Sequence, residues 1–395
     1  MSSDPIVIVG AARTAMGGFQ GELASKPAPE LGAAAIGAAL DRAGVPREDV
    51  EEVIMGCVLP AGQGQAPARQ ASLGAGIPLA AGCTTVNKMC GSGMKAAMLA
   101  HDLLVAGSNR VMVAGGMESM TNAPYLLDRA RGGYRMGHGR VLDHMFLDGL
   151  EDAYDKGRLM GTFAEDCARH YQFTREAQDA FAIRSLERAQ AASADGAAAA
   201  EIAPVEVTSR AGTATVEVDE QPRKARPDKI PTLKPAFAKD GTVTAANSSS
   251  ISDGAAALVL MAASEAEARG LTPLAEVLGH ASHAQEPGWF TTAPVGAIRK
   301  LMDQLGWGAD DADLYEINEA FAVVTMAAMR EFDLPADRVN VHGGACALGH
   351  PIGASGARIV VTLLNALKRH DLQTGIASLC IGGGEATAMA FRRLS

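Results

Sequence analysis

Two thiols, one imidazole and one carboxamide carry the reactive chemistry of this chain: Cys90, Cys380, His350 and Asn318. A thiolate is a strong nucleophile, and an imidazole gives and takes protons near neutral pH. Cys90 lies in NKMCGSGMKA, where a β-rich run turns into a helical pattern and Gly91 and Gly93 leave the thiol approachable. A helix N-terminus lowers a thiol's pKa. The same residue equally fits a buried, inert cysteine. Cys380 precedes Ile381-Gly382-Gly383-Gly384. Successive glycine N–H groups either face an oxygen that gains negative charge or turn the chain between two strands. Asn318, in NEAFA, ends a strand and either caps the next helix or holds a water or oxyanion. His350 sits in Val339–Arg358, VNVHGGACALGHPIGASGAR, before Pro351, which favours an extended backbone there. A helix over roughly Ala354–Leu367 starts beside it, offering free N–H groups and a positive dipole end. Alone, this stretch fits a capping histidine as well as an acid or base. Together, the thiols, the histidine and the asparagine suggest acyl transfer through a thioester.

Groups so far apart need a regular scaffold to gather them. Strands are expected at Ile6–Gly10, Val53–Val58, Thr84–Val86 and Arg110–Ala114, with helices from Pro29 to about Gly44 and following Cys90. The pattern returns after Ala245: strands at Ala255–Met261, Leu274–His283 and Leu314–Asn318, helices at Ala297–Leu305 and Glu319–Met329, and a closing strand pair. This alternation implies a mostly parallel sheet covered on both faces. Between Thr121 and about Ala245 the pattern breaks. Turn residues fill 124–158, a polar helix crosses Thr174–Ala194, and Val205–Val218 alternates weakly, like a hairpin. Arg223, Lys224, Arg226 and Lys229 form a basic cluster that fits a solvated hinge or a phosphate dock. An internal repeat is visible. Val86-Asn87, Gly91-Ser92-Gly93 and RVMVAGGMES recur as Val339-Asn340, Ala354-Ser355-Gly356 and IASLCIGGGEATAM. The second copy holds extra residues, and they carry His350. Two similar α/β halves should therefore pack as pseudo-twins, with ligands beyond the carboxyl ends of their strands.

Composition narrows the function. The 395 residues are 48% hydrophobic and 20% charged, enough for a large core in more than one domain. A net charge of −10 argues against a nucleic-acid partner. No CxxC pair occurs among the six cysteines, so no zinc site is expected, nor a disulfide framework. No apolar run reaches membrane-spanning length, and MSSDPIVIVGAARTAMGGF matches neither a secretory nor a transit pattern, so the expectation is a soluble, cytoplasmic protein without a membrane partner. Neither VGAARTAMGG nor GHPIGASGAR matches a nucleotide-binding loop.

NKMCGSGMKA, SDGAAALVL, NEAFA, GGACALGHPIGASGAR and SLCIGGG, in that order, resemble the thiolase family over nearly the whole chain. The resemblance implies the α/β thiolase fold: two pseudo-repeated βαβαβ halves in an α/β/α/β/α arrangement with an inserted loop domain. The corresponding divisions are 1–120 with 246–273, 121–245, and 274–395. It implies acetyl-CoA C-acetyltransferase activity within fatty acid metabolism, or alternatively degradative thiolysis of longer or 2-methyl-branched 3-ketoacyl-CoA. Cys90 would be the acylated nucleophile, His350 its activator, and Cys380 the group that moves the α-proton. Asn318 would hold a water beside His350, and the N–H groups of Cys90 and Gly382 would form a second oxyanion hole. The positions matching coenzyme A contacts are Arg223, Ala245, Ser249, Phe290 and Phe321, with Leu159, Met160 and Phe237 along the pantetheine tunnel. Coenzyme A would be a co-substrate, with no metal and no permanently bound cofactor, in a homotetramer joined through 120–145. Leu159-Met160-Gly161 departs from the His-Met-Gly of short-chain members. Phe290 stands where many bacterial members carry methionine and 2-methylacetoacetyl-CoA-cleaving enzymes carry phenylalanine. Pro222 replaces a potassium-site tyrosine, so no potassium site is expected.

Overall fold

A computed structural model describes residues 4–210 and 212–395. Residues 1–3, which open the N-terminal stretch read above, and 211, inside the expected 205–218 hairpin, lie outside the described residues. The first half holds strands β1 (Ile6–Thr14), β2 (Glu52–Gly56), β3 (Gly82–Val86), β4 (Val111–Ser119) and β5 (Ser252–Ala262). They lie in the order β3-β2-β4-β5-β1. The second half holds β6 (Ala275–Ala284), β7 (Leu314–Ile317), β8 (Thr374–Ile381) and β9 (Glu385–Arg393), ordered β7-β8-β9-β6. Where the first half has β3, the second keeps a single parallel bridge between Tyr315 and Val339. The repeat is thus present in the topology. β1 and β6 join the halves through only two residue pairs, Val7–Glu276 and Ile8–Ala275.

The sheet is mixed, not mostly parallel. β2 runs parallel to β3 and β4, and β7 parallel to β8, but β4–β5, β5–β1, β8–β9 and β9–β6 are antiparallel. The physical reason lies in the connections. Antiparallel neighbours need no crossover helix, so a glycine turn links β8 to β9, and the whole middle region can be spliced between β4 and β5. Gly383 and Gly384 make that turn with φ of 94° and 87°.

Helices cover the sheet in layers. α1 (Ala28–Ala43) and α2 (Pro67–Gly74) pack on one outer face, sharing a core of residues such as Leu31, Ile36 and Ala71 with Val53 and Val113. α3 (Ser92–Val105) lies at the centre and belongs to the core that holds both halves together. The middle region supplies α4 (Met160–Tyr171) and α5 (Arg175–Ala194), the latter capped by Thr174 Oγ1 accepting from Ala177 N at 3.2 Å. It also contains the hairpin Val205–Ser209/Gly212–Val216. α6 (Ala293–Leu305) and α7 (Ala322–Glu331) cover the other outer face around Leu301, Ile317 and Ala328. α8 (Ser355–Arg369) packs beside α3 at the centre, and its first ten residues are all buried. Glycine is required where α3 and α8 begin: a Cβ on Gly356 would lie 2.4 Å from Met94 N, and one on Gly93 2.8 Å from Ala357 N. α2 and α4 were not anticipated from sequence. Among the described residues no helix is long and apolar enough to cross a membrane.

Candidate active site

Cys90 follows β3 in a tight turn tied by Ser92, whose hydroxyl donates to Met89 O at 2.6 Å and accepts from Lys88 N at 2.9 Å. Met89 holds a left-handed φ of 47°, unusual for a side-chain-bearing residue and typical of functional turns. The backbone N–H groups of Gly382 and of Cys90 itself point at the Cys90 sulfur. Burial nevertheless pushes this thiol up to about 11. The expected lowering at the helix N-terminus is therefore overturned, because desolvation of the thiolate outweighs those N–H dipoles.

His350 is fixed by its own helix. Its Nδ1 lies 2.6 Å from Ser355 Oγ, and Ser355 Oγ donates to Pro351 O at 3.0 Å. With the serine proton so committed, Nδ1 must be the donor, which leaves the lone pair on Nε2. Nε2 has no partner among the described residues. Burial, then the charge of Arg358, pushes the imidazole down to about 3, so the ring is neutral at rest. Arg358 is itself buried, bonded to Glu316 at 3.0 Å and to Asn318 Oδ1 at 3.4 Å. That contact turns the Asn318 amide nitrogen towards His350, 3.5 Å from Nδ1. Asn318 is not a helix cap, since α7 begins only at Ala322.

Two carboxylates absent from the sequence reading hold the histidine loop. Glu319 accepts from Ser185 Oγ at 2.6 Å, Asn340 Nδ2 at 2.8 Å and Cys346 N at 3.0 Å. Glu118, at the end of β4, accepts from Val58 N and Gly353 N, both at 2.9 Å, and from Leu59 N at 3.1 Å. Glu118 thus ties the first half to the turn that carries His350, and burial pushes its carboxyl up to about 7. Across the cleft mouth, Lys88 forms an ion pair with Glu385 beside the glycine turn.

These elements close around a cavity of about 360 Å³ lined by Cys90, His350, Cys380 and Gly382. Cys380 is buried, and both that burial and nearby Cys90 push its thiol upward. Leu159, Met160, Phe237, Ala245, Ser249, Phe290 and Phe321 also line the cavity. So do Phe146, Leu150, Ser248 and Ile352, which sequence reasoning did not single out. The Ser248 hydroxyl, like His350 Nε2, is buried without a partner among the described residues. Its place in the run Asn247-Ser248-Ser249-Ser250 was the available signal. Arg223 is outside the cavity and pairs with Glu22 at 2.6 Å. Instead, Arg226 and Lys229 line an adjoining depression of about 240 Å³ that shares Ala245 and Ser250 with the cavity. A larger cleft of about 410 Å³, between Val9, Leu274 and Lys368, contains none of the reactive groups.

A nucleophile, a base with an open lone pair, a second thiol and convergent N–H donors can together acylate, and can stabilise charge on a carbonyl oxygen. Residues 6–264 match the thiolase N-terminal domain and residues 271–393 the thiolase C-terminal domain. This chain belongs to the thiolase family. It is 50% identical over 390 residues to the acetyl-CoA acetyltransferase of Cupriavidus necator, covering 98% of this chain and 99% of that protein. It is 51% identical to acetyl-CoA acetyltransferase 2 of Arabidopsis thaliana, covering 98% and 97%. The thiolase fold is equally clear in three dimensions. The acetyl-CoA acetyltransferase of Syntrophomonas wolfei superposes with a TM-score of 0.96 at 39% identity, covering 99% and 100%. Acat5 thiolase from Ascaris suum, solved in complex with coenzyme A, superposes at 0.93 with 43% identity, covering 99% and 100%.

Proposed function

We propose that this thiolase is an acetyl-CoA C-acetyltransferase, joining two acetyl-CoA into acetoacetyl-CoA or cleaving the product with coenzyme A. The convergence of Cys90, His350 Nε2, Cys380 and the Gly382 N–H on one cavity carries this reading. The Cys90 sulfur attacks the acetyl carbonyl while its proton passes to His350 Nε2. The carbonyl oxygen sits against the N–H groups of Cys90 and Gly382. Coenzyme A leaves as a thiol after taking the proton back from His350. As its own proton passes to His350 Nε2, Cys380 takes one from the methyl carbon of a second acetyl-CoA; the enolate carbon attacks the acyl carbonyl, and Cys90 leaves as a thiol with the proton returned from His350 Nε2. The enolate oxygen faces His350 and a water held by Asn318. Donation to that oxygen comes from the proton that His350 Nε2 holds at that stage, while Nδ1–H stays on Ser355 Oγ. High resting thiol pKa values and a neutral imidazole mean that each proton moves with the bond change, not ahead of it.

Coenzyme A acts as co-substrate, its pantetheine lying along Leu159, Met160, Phe237, Ala245, Ser249 and Phe321 and its phosphates near Arg226 and Lys229. Arg223 is near that end but engaged with Glu22. No permanently bound cofactor enters the scheme. Leu159, Met160 and Phe237 line the cavity, which supports reading 121–245 as an insertion that roofs it. Tyr125, Leu127 and Val141 are exposed and Met136 is 97% exposed, which supports the 120–145 segment as the contact of a homotetramer. A cytoplasmic location and a place in fatty acid metabolism belong to the same reading. Cleavage rates for acetoacetyl-CoA and 3-ketohexanoyl-CoA test it. Preference for acetoacetyl-CoA is expected, because Phe290, 3% exposed and edge-on to Phe163, closes the cavity wall. Faster cleavage of the longer substrate would replace this reading with degradative thiolysis.

A further inference from the structure

Far from the thiols, His101 and Asp102 on α3 meet His280 on β6. Asp102 Oδ1 lies 3.2 Å from His101 Nδ1 and 2.8 Å from His280 Nε2. The two rings stand edge-to-face, 5.0 Å apart. All three potential ligand atoms lie within 4.8 Å of one another, and this is the one such group among the described residues. Each histidine side chain is 17% exposed and Asp102 is 54% exposed, so the cluster is held by packing yet open to solvent on one side.

We infer that His101, Asp102 and His280 form a binding site for a borderline divalent transition-metal ion such as Zn²⁺ or Co²⁺. Two imidazole nitrogens and one carboxylate oxygen suit those ions, whereas Mg²⁺ and Ca²⁺ call for oxygen ligands. Ligand bonds of about 2.0–2.1 Å at tetrahedral angles place donor atoms about 3.3 Å apart. Two of the three spacings are already near that value, so binding needs closure of only the His101–His280 gap. The fourth position faces solvent and would hold water. The ion would replace two hydrogen bonds to Asp102 by three metal bonds.

The location gives the site a physical consequence. β1 and β6 pair over only two residues, and a metal here would cross-link the halves from a helix of one to a strand of the other. An ion that binds only the folded chain stabilises it by mass action. His101 lies eleven residues beyond Cys90, roughly 16 Å along a helical rise, so this ion is not part of the acyl site.

The test is titration of chelator-treated full-length protein with Co²⁺, read by visible absorption and thermal unfolding. One Co²⁺ per chain is expected, with d–d bands, no thiolate-to-cobalt charge transfer and a raised Tm. His280→Ala and Asp102→Asn should weaken that binding by more than the roughly 10–100-fold typical of outer-shell changes and abolish the Tm rise. Their metal-free Tm should stay near that of the parent; if either variant misfolds, His101→Gln replaces it. Absence of Co²⁺ binding, binding unaffected by these substitutions, or a thiolate charge-transfer band as the sole signal would each overturn the site.

Discussion

The two halves share one strand order and one central helix apiece, yet they load the same turn with opposite tasks. Asn87 and Ser92 are five residues apart; Asn340 and Ser355 are fifteen apart. In the short turn the Ser92 hydroxyl closes on Met89 O and presents a nucleophile. In the long turn its counterpart, Ser355, closes on Pro351 O and orients a base. The neighbouring strands differ in the same way. Glu118 stands two residues beyond the last ladder pair, Gly56–Gly116, and Cys380 two beyond Ile317–Ser378. One position became a carboxylate that pins three backbone N–H groups; the other became a proton-moving thiol. A duplicated scaffold thus lets one copy specialise in presenting the nucleophile and bracing the site, and the other in proton transfer.

That division makes its largest prediction at the two thiols. Cys90→Ser should lower thiolysis by roughly 10³-fold or more, as removal of a nucleophile does. The paired serines sharpen the comparison. Ser355→Ala should lower kcat by roughly 10-fold or more, part of the ~10²–10⁴-fold supplied by a general base, and leave KM nearly unchanged. Ser92→Ala should act mainly on folding, losing about 1 kcal/mol in chemical denaturation. The reverse pattern would mean that the two turns are not specialised as described.

Much of this was legible in the chain. The thiols, the histidine and the glycine run carried their chemistry in residue type, and the repeat was visible because Asn, Ser and Gly recur in one order. Most strands and helices matched within a few residues because their apolar spacing was regular. The mixed sheet was not legible, because strand direction depends on connections whose course has no local signature. α4 was hidden by the turn-rich segment before it. Glu118 and Glu319 escaped notice because a carboxylate acting on backbone N–H groups has no spacing rule. Arg223 lies outside the cavity and Arg226 and Lys229 line the adjoining depression, a difference the sequence could not show because one surface cluster offers several equivalent-looking cations.

The bracing carboxylate yields a smaller effect. Glu118→Gln should destabilise the fold by about 1–3 kcal/mol in urea unfolding, because one of its oxygens becomes a donor facing N–H groups. The smallest effect concerns acid. His350 is held near 3 when folded, below its ordinary unfolded value, so the unfolded chain binds more protons between those limits. Its contribution to stability is therefore fully present above the unfolded pKa and lost as pH falls towards 3. His350→Asn should flatten the acid limb of unfolding midpoint against pH; an unchanged slope would remove His350 from that account.

The most direct test is peptide mass spectrometry of Cys380→Ser after exposure to acetyl-CoA. The account predicts an acetyl group on Cys90, together with loss of acetoacetyl-CoA formation. Acetylation elsewhere, an unmodified Cys90, or normal condensation by this variant would contradict it.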